Sequence, residues 1–197
     1  MGCSGSNEKG GKKVIFVIGG PYSGKEMLCP RIQQSFSWKH LELDDIINRA
    51  KEQGNNVQTV NEVLRDDLAV PSDKLCDFMK DDFLSNKYRR ILLEDFPKNS
   101  ENLKQWNEKM DDFEIPLVFY FKCSPETMLK RMEEKSGKTQ EEKDKITVII
   151  NSYEKDMEGV FSEFLNKGLL VEMDGEKEVD DLFNDIKEAM VGKGLIE

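Results

Sequence analysis

The sequence predicts a three-layer α/β fold, a parallel sheet covered by helices on both faces, and three observations carry that expectation. Short apolar, β-branched runs recur along the chain, segments with helical character separate them, and a glycine-rich turn follows the first run directly. Strands alternating with helices imply right-handed crossovers and parallel pairing, and in such sheets ligands bind beyond the carboxyl ends of the strands.

The first element is Val14-Ile15-Phe16-Val17-Ile18, a continuous apolar run that reads as a strand buried on both faces. Similar runs stand at Ile91–Leu93, Leu117–Phe121 and Leu169–Val171, with a weaker one at His40–Leu41, so a five-stranded sheet is expected. Helices are expected at Lys25–Ser35, Asp45–Glu52, Val60–Asp67, Ser72–Ser85, Ser100–Met110, Pro125–Glu134, Lys143–Tyr153 and Val179–Met190. The polar stretch Glu133–Lys145 holds Ser136-Gly137-Lys138-Thr139 and lacks apolar periodicity, so it reads as a mobile surface insertion.

At 197 residues the chain is long enough for one domain with its own core. With 29 Lys+Arg against 39 Asp+Glu the net charge is -10, which argues against a broad nucleic-acid footprint and leaves any phosphate to a local site. The single histidine, His40, argues against a multi-histidine metal site and reads as structural. Cys3, Cys29, Cys76 and Cys123 are widely separated with no Cys-x-x-Cys pair, which suits a reducing, cytoplasmic setting. No apolar run approaches the ~18 residues that a membrane-spanning helix requires.

Residues 1–12 read as a flexible tail that precedes a domain at 13–193. Its start, Met1-Gly2-Cys3-Ser4-Gly5-Ser6, fits the pattern for myristate on Gly2, with Cys3 positioned for palmitate. Two chains anchor durably where one does not, and Lys9, Lys12 and Lys13 add attraction to an anionic membrane. An unmodified tail is the alternative.

After the first strand come Gly19, Gly20, Pro21, Tyr22, Ser23, Gly24 and Lys25, the G-x-x-x-x-G-K pattern of a P-loop in its strand-loop-helix context. Backbone N–H groups and a helix N-terminus converge on phosphate oxygens in such a loop, and the lysine adds a compact positive charge.

Gly19–Cys29 resembles the nucleoside monophosphate kinases, and Phe96-Pro97-Lys98-Asn99-Ser100-Glu101-Asn102-Leu103-Lys104-Gln105-Trp106-Asn107 is most similar to the UMP/CMP kinase branch. Supporting matches are His40-Leu41 with Asp45, Val70-Pro71, Arg131 and Val179–Phe183, so the resemblance spans about residues 13 to 190. It implies a P-loop NTPase fold with a helical monophosphate-binding flap at about 43–72 and a short lid at about 134–143. It also implies transfer of the terminal phosphoryl of ATP, with Mg2+, to a nucleoside monophosphate. Carried onto this chain, the P-loop and Arg131 would hold ATP, and Lys25, Arg131 and Lys138 would act on the transferring group. Asp45, Lys98 and Asn102 would serve the monophosphate, and Glu94 would organise the metal through water.

The sequence departs from the family pattern where charge matters most. Six arginines leave 23 of the 29 basic residues as lysine. The family has glycine at Tyr22 and Gly-Thr at Glu26-Met27, so a carboxylate is added and a hydroxyl lost beside the phosphate site. Its flap arginine corresponds to Asn48, with Arg49 next to it but about 100° around the helix. Its Asp-Gly-Phe-Pro-Arg becomes Glu94-Asp95-Phe96-Pro97-Lys98, which exchanges a forked donor for a point charge. Lys135 and Lys138 stand for lid arginines, Gln140-Glu141 for paired aspartates and Ile149 for a further arginine, although Val148, Ile149 and Ile150 also read as an apolar face packed on the core. Two readings follow: a nucleotide-binding module with weak or lost transfer, tethered at a membrane or in a cilium with a protein partner, or an active nucleoside monophosphate kinase.

Overall fold

The computed structural model describes residues 11–52, 70–135 and 137–197. The tail with Gly2 and Cys3, the expected helix Val60–Asp67 and most of the flap lie outside those residues. Strand β1 (Lys12–Gly19) lies between β3 (Arg90–Glu94) and β5 (Val118–Lys122), with β2 (Lys39–Glu42) outside β3 and β6 (Leu170–Asp174) outside β5. Every pairing is parallel, as the alternating pattern requires, and a two-residue strand β4 (Phe113–Glu114) joins the start of β1 as a sixth member.

Helices cover both faces: α1 (Lys25–Phe36), α2 (Leu43–Glu52), α3 (Ser72–Ser85), α4 (Ser100–Lys109), α5 (Pro125–Glu134), α6 (Gln140–Asn166) and α7 (Val179–Gly192). Alternation along β1 explains the layering. Val14, Phe16 and Ile18 face one core with Leu41, Ile46, Met79, Trp106 and Phe164, whereas Ile15 and Val17 face another with Leu28, Ile32 and Ile186. Phe16 alone meets the rings of Phe96, Trp106 and Phe164 at centroid distances of 5.6, 4.8 and 5.8 Å. A fully buried side chain of this size contributes roughly 1.5–3 kcal/mol, which is why an uninterrupted apolar run becomes the central strand.

The described residues of Glu133–Lys145 lie on the surface as expected, but the stretch is helical at both ends and not an irregular insertion. Helix α5 continues to Glu134 and α6 begins at Gln140, so only a short connection separates them. Thr139 Oγ1 accepts from the Glu142 backbone N–H while the Glu142 carboxylate receives the Thr139 N–H, a capping box that starts a helix without any apolar residue. The same helix runs on to Asn166, well past the expected end at Tyr153, and Met157, Val160 and Phe164 supply the buried stripe.

Arg49 is committed to the fold. Its Nε and Nη2 donate to Asp82 Oδ1 and Oδ2 at 2.8 and 3.0 Å, tying α2 to α3, and the Asp82 side chain is only 5% exposed. Arg49→Ala leaves a buried carboxylate without its fork, and a loss of about 1.5–3 kcal/mol in urea unfolding is expected, against well under half of that for a neighbouring exposed position such as Lys39→Ala.

Candidate functional site

The parallel register brings the strand ends to one edge: Val17 pairs with Glu94, Glu42 with Glu94, and Gly19 with Phe121. The P-loop leaves β1 there. A Cβ on Gly19 would stand 2.6 Å from Ser23 Oγ and 2.9 Å from Phe121 Cβ, so the loop turns back where no other residue fits. Gly24 caps α1 at φ 101°, a left-handed conformation natural to glycine. Tyr22 adopts φ 63° without being glycine, so the loop is strained where the family pattern places glycine.

Lys25 is the hub. It is 2% exposed, and its Nζ lies 3.1 Å from Glu26 Oε1, 3.2 Å from Asp95 Oδ1 and 4.0 Å from Glu94 Oε1. Burial by itself would lower its pKa, but the charges of Asp95, Glu26 and Glu94 overcome that and push it well above the ordinary lysine range. Glu26 reaches back over the loop, and its Oε1 also accepts the Tyr22 backbone N–H at 3.3 Å. Burial opposes its charge, yet Lys25 and the backbone donors hold its pKa below the usual glutamate value, so it is ionised at neutral pH.

Thus a carboxylate of the chain takes two of the groups a P-loop offers to phosphate: the ammonium and a loop N–H. Asp95 supplies a second. Its φ is 65°, again left-handed at a place where the family pattern has glycine, and its backbone N–H is fixed by Val17 O at 3.1 Å. Burial raises its pKa, the neighbouring Glu94 adds to that, and Lys25 opposes both.

The cleft beside this hub has a volume of about 380 Å³, in the range of small-ligand sites. Pro21, Lys25, Glu26, Asp95, Lys98 and Ile149 are among its walls, with Tyr153 and Asp156. Ile149 is therefore not core: it is 49% exposed and Val148 is 67% exposed, and of the three apolar residues only Ile150 packs inward. The expectation of an apolar face on the core fails there because α6 crosses the mouth of the cleft and turns Ile149 towards it.

Arg131, from α5, reaches the loop. Its Nη1 donates to Tyr22 O at 3.2 Å and lies 3.6 Å from Cys123 Sγ, which places a guanidinium against the P-loop. Lys135 sits over the Tyr22 ring, 5.2 Å from its centroid, while Lys138 is exposed just ahead of the cap of α6. Lys98 projects at the cleft wall. Asn102 is 3% exposed, and both ends of its amide are engaged: Oδ1 accepts the Lys98 N–H at 3.0 Å and Nδ2 donates to Ser72 Oγ at 2.7 Å. Asp45 is exposed in the first turn of α2 and is not among the cleft walls.

Glu94 is 2% exposed, and its Oε2 lies 2.7 Å from His40 Nε2. Cys29, fully buried on α1, brings its Sγ within 4.8 Å of the same carboxylate. Sequence reasoning missed this grouping because its members lie on α1, β2 and β3 and are far apart in the chain. Asp95 was missed as a partner of Lys25 for a related reason: only the left-handed turn after β3 aims its carboxylate back at the loop.

Whether the cradle suits a nucleotide is tested by Ser23. Its Oγ is buried and has no hydrogen-bond partner among the described residues, an orphaned donor in the loop that a phosphate oxygen would satisfy. Glu94 and Asp95 offer hard oxygen donors suited to Mg2+ or its waters, and Met27, 60% exposed with no oxygen on its side chain, offers none.

The Adenylate kinase family model matches residues 17–169. Among similar proteins, the UMP-CMP kinase of Danio rerio is 27% identical over 186 residues, covering 89% of this chain and 95% of that protein. The UMP-CMP kinase of Xenopus laevis is 26% identical, covering 88% and 96%, and adenylate kinase isoenzyme 1 of Sus scrofa is 26% identical, covering 88% and 92%. With the P-loop, parallel sheet and cleft in the places that match, the chain belongs to the adenylate kinase family of nucleoside monophosphate kinases.

Proposed function

We propose that this protein is a nucleotide-binding member of the family in which phosphoryl transfer from ATP to a nucleoside monophosphate is weak or lost. The observation that carries this reading is the Lys25 ammonium, held by Glu26 and Asp95 at 3.1 and 3.2 Å. The phosphates of ATP must displace those carboxylates or bind against their charge. In this reaction the nucleophile is already a phosphate oxygen, so catalysis rests on positioning and on cations around the transferring group.

Each residue has a place in that account. Gly19, Gly20, Pro21, Tyr22, Ser23 and Gly24 shape the phosphate cradle, and Lys25 with Arg131 supplies its positive charge. Lys98, at the cleft wall, would meet the acceptor phosphate, Asn102 steadies the Lys98 backbone, and Lys138 stands on the α5–α6 connection. Mg2+ bound with ATP would neutralise charge on its phosphates, with Glu94 and Asp95 as the oxygen donors at hand. Against transfer stand Ile149 at the cleft mouth, Met27 without a hydroxyl, and Arg49 locked to Asp82. Loss of one arginine acting on the transferring phosphoryl lowers turnover by about 10³-fold, and of a single oriented donor by about 10²-fold.

Gly2 and Cys3 are the proposed acyl attachment points and support a tethered structural or regulatory role at a membrane, with placement in a cilium as the alternative. The retained Lys25, Glu94 and Arg131 favour the second reading, an active kinase.

Calorimetric titration with Mg-ATP tests retention of the cradle. One equivalent should bind to the full chain, and Lys25→Met should reduce affinity by at least about 100-fold, since the buried cation that meets the phosphates is removed. Equal binding by the variant would show that ATP does not use this loop.

A further inference from the structure

Cys29, His40 and Glu94 bring a thiol, an imidazole and a carboxylate together from three separate elements. One ligand atom from each (Cys29 Sγ, His40 Nε2 and a Glu94 oxygen) lies within 4.8 Å of the other two. Cys29 is 0% exposed, Glu94 is 2% exposed and His40 is partly open, so the cluster is walled by protein with one side towards solvent. The phosphoryl-transfer account gives neither Cys29 nor His40 a task.

We propose that these three residues form a binding site for a zinc-class divalent ion, with water as the fourth ligand. The donor set decides the class of ion. Sulfur and nitrogen beside a single carboxylate favour a borderline-soft, tetrahedral ion, whereas Mg2+ and Ca2+ seek oxygen alone. Metal–ligand bonds of about 2.0–2.3 Å place tetrahedral donors roughly 3.3–3.7 Å apart, which falls inside the 4.8 Å that bounds these three atoms. The His40–Glu94 contact, at 2.7 Å, must open by about 0.6–1 Å to admit the ion between the two.

Binding balances simply. Two protons leave for each ion bound: the thiol proton of Cys29, whose place on sulfur the ion takes, and the proton in the hydrogen bond between His40 Nε2 and Glu94, whose departure to solvent frees both of those atoms to ligate. The two ligand-bearing strands are adjacent and paired in register, His40 with Leu92 and Glu42 with Glu94, so the site is fixed by the sheet and not by a loop. Its existence does not depend on nucleotide turnover.

Cobalt(II) is the probe. Added to the reduced, chelator-treated full chain, one equivalent should produce a thiolate-to-cobalt absorption in the near ultraviolet together with tetrahedral visible bands, and Zn2+ should bleach both. Cys29→Ser should abolish the near-ultraviolet band and His40→Gln should weaken binding by at least about 10-fold, the lower end for loss of metal-site support. Cys76→Ser and Cys123→Ser should leave the spectrum unchanged. Should Cys29→Ser fold poorly, X-ray absorption of the zinc-loaded wild-type chain decides, with one sulfur and three nitrogen or oxygen neighbours expected. Absence of the thiolate band, its persistence in Cys29→Ser, or a zinc shell with no sulfur or with more than one would overturn the proposal.

Discussion

Glu26→Gln combined with Asp95→Gly is expected to tighten ATP binding by about 10- to 100-fold. Each carboxylate makes a charge-assisted contact with Lys25, worth about 1.5–3 kcal/mol in a buried setting. Glu26 and Asp95 are 42% and 45% exposed, so solvent screening brings the figure to about 1 kcal/mol each. Two such contacts, removed together, correspond to somewhat more than one decade of affinity, and relief of repulsion with the phosphates adds to it. Glutamine keeps the helix and an acceptor for the Tyr22 N–H without the charge, while glycine at 95 suits φ 65° better than aspartate does. Glu94 is left in place, so Lys25 keeps one partner and is not stranded in the interior. Calorimetric titration of both proteins with Mg-ATP reads the difference. Equal affinities would mean that the ammonium is available to phosphate despite its carboxylate partners.

Ile149→Arg with Met27→Thr and Glu26→Gly is expected to raise turnover by 100-fold or more, because two of the three deficits line one cleft and the third lies on the helix turn that carries Lys25. Ile149 is half exposed at its mouth, so a guanidinium placed there extends into the cavity and is not forced into the core. Threonine at 27 restores a hydroxyl on the first turn of α1, and glycine at 26 frees the loop N–H and takes one of the two close carboxylates off Lys25, leaving Asp95. An arginine acting on the transferring phosphoryl is worth about 10³-fold and an oriented donor about 10²-fold, but groups acting as a unit are far from additive, so the combined gain is set conservatively. A coupled assay with ATP and AMP, CMP or UMP measures it, and a variant no faster than its parent would mean that something else limits the reaction.

The fold was legible because its signals are local. An unbroken apolar run such as Val14–Ile18 has few alternatives to a doubly buried strand, and Ser72–Ser85 and Pro125–Glu134 carry their own boundary residues. The beginning of α6 was illegible because the Thr139–Glu142 capping box, not apolar spacing, starts it, and Ile149 escaped because periodicity cannot tell a core from a cleft when both lie on one side of a helix. In the site, the motif Gly19–Lys25 revealed the cradle, and the substitution at Glu26 announced a misplaced charge. What no pattern conveyed was where that charge goes. Glu26 folds back four residues to the Tyr22 N–H, Asp95 turns through a left-handed conformation to the same lysine, and Cys29 meets His40 and Glu94 across two strands. These are tertiary facts, fixed by where the chain returns and not by spacing along it.

The turnover number of the purified full chain, with saturating Mg-ATP and each of AMP, CMP and UMP, is the most direct measurement of a kinase scaffold whose phosphate lysine is held by its own carboxylates. The expected value is about 10⁻² per second or lower with every acceptor, against the ~1–100 per second usual for kinases. Turnover within that usual range for any one of the three monophosphates would contradict the account.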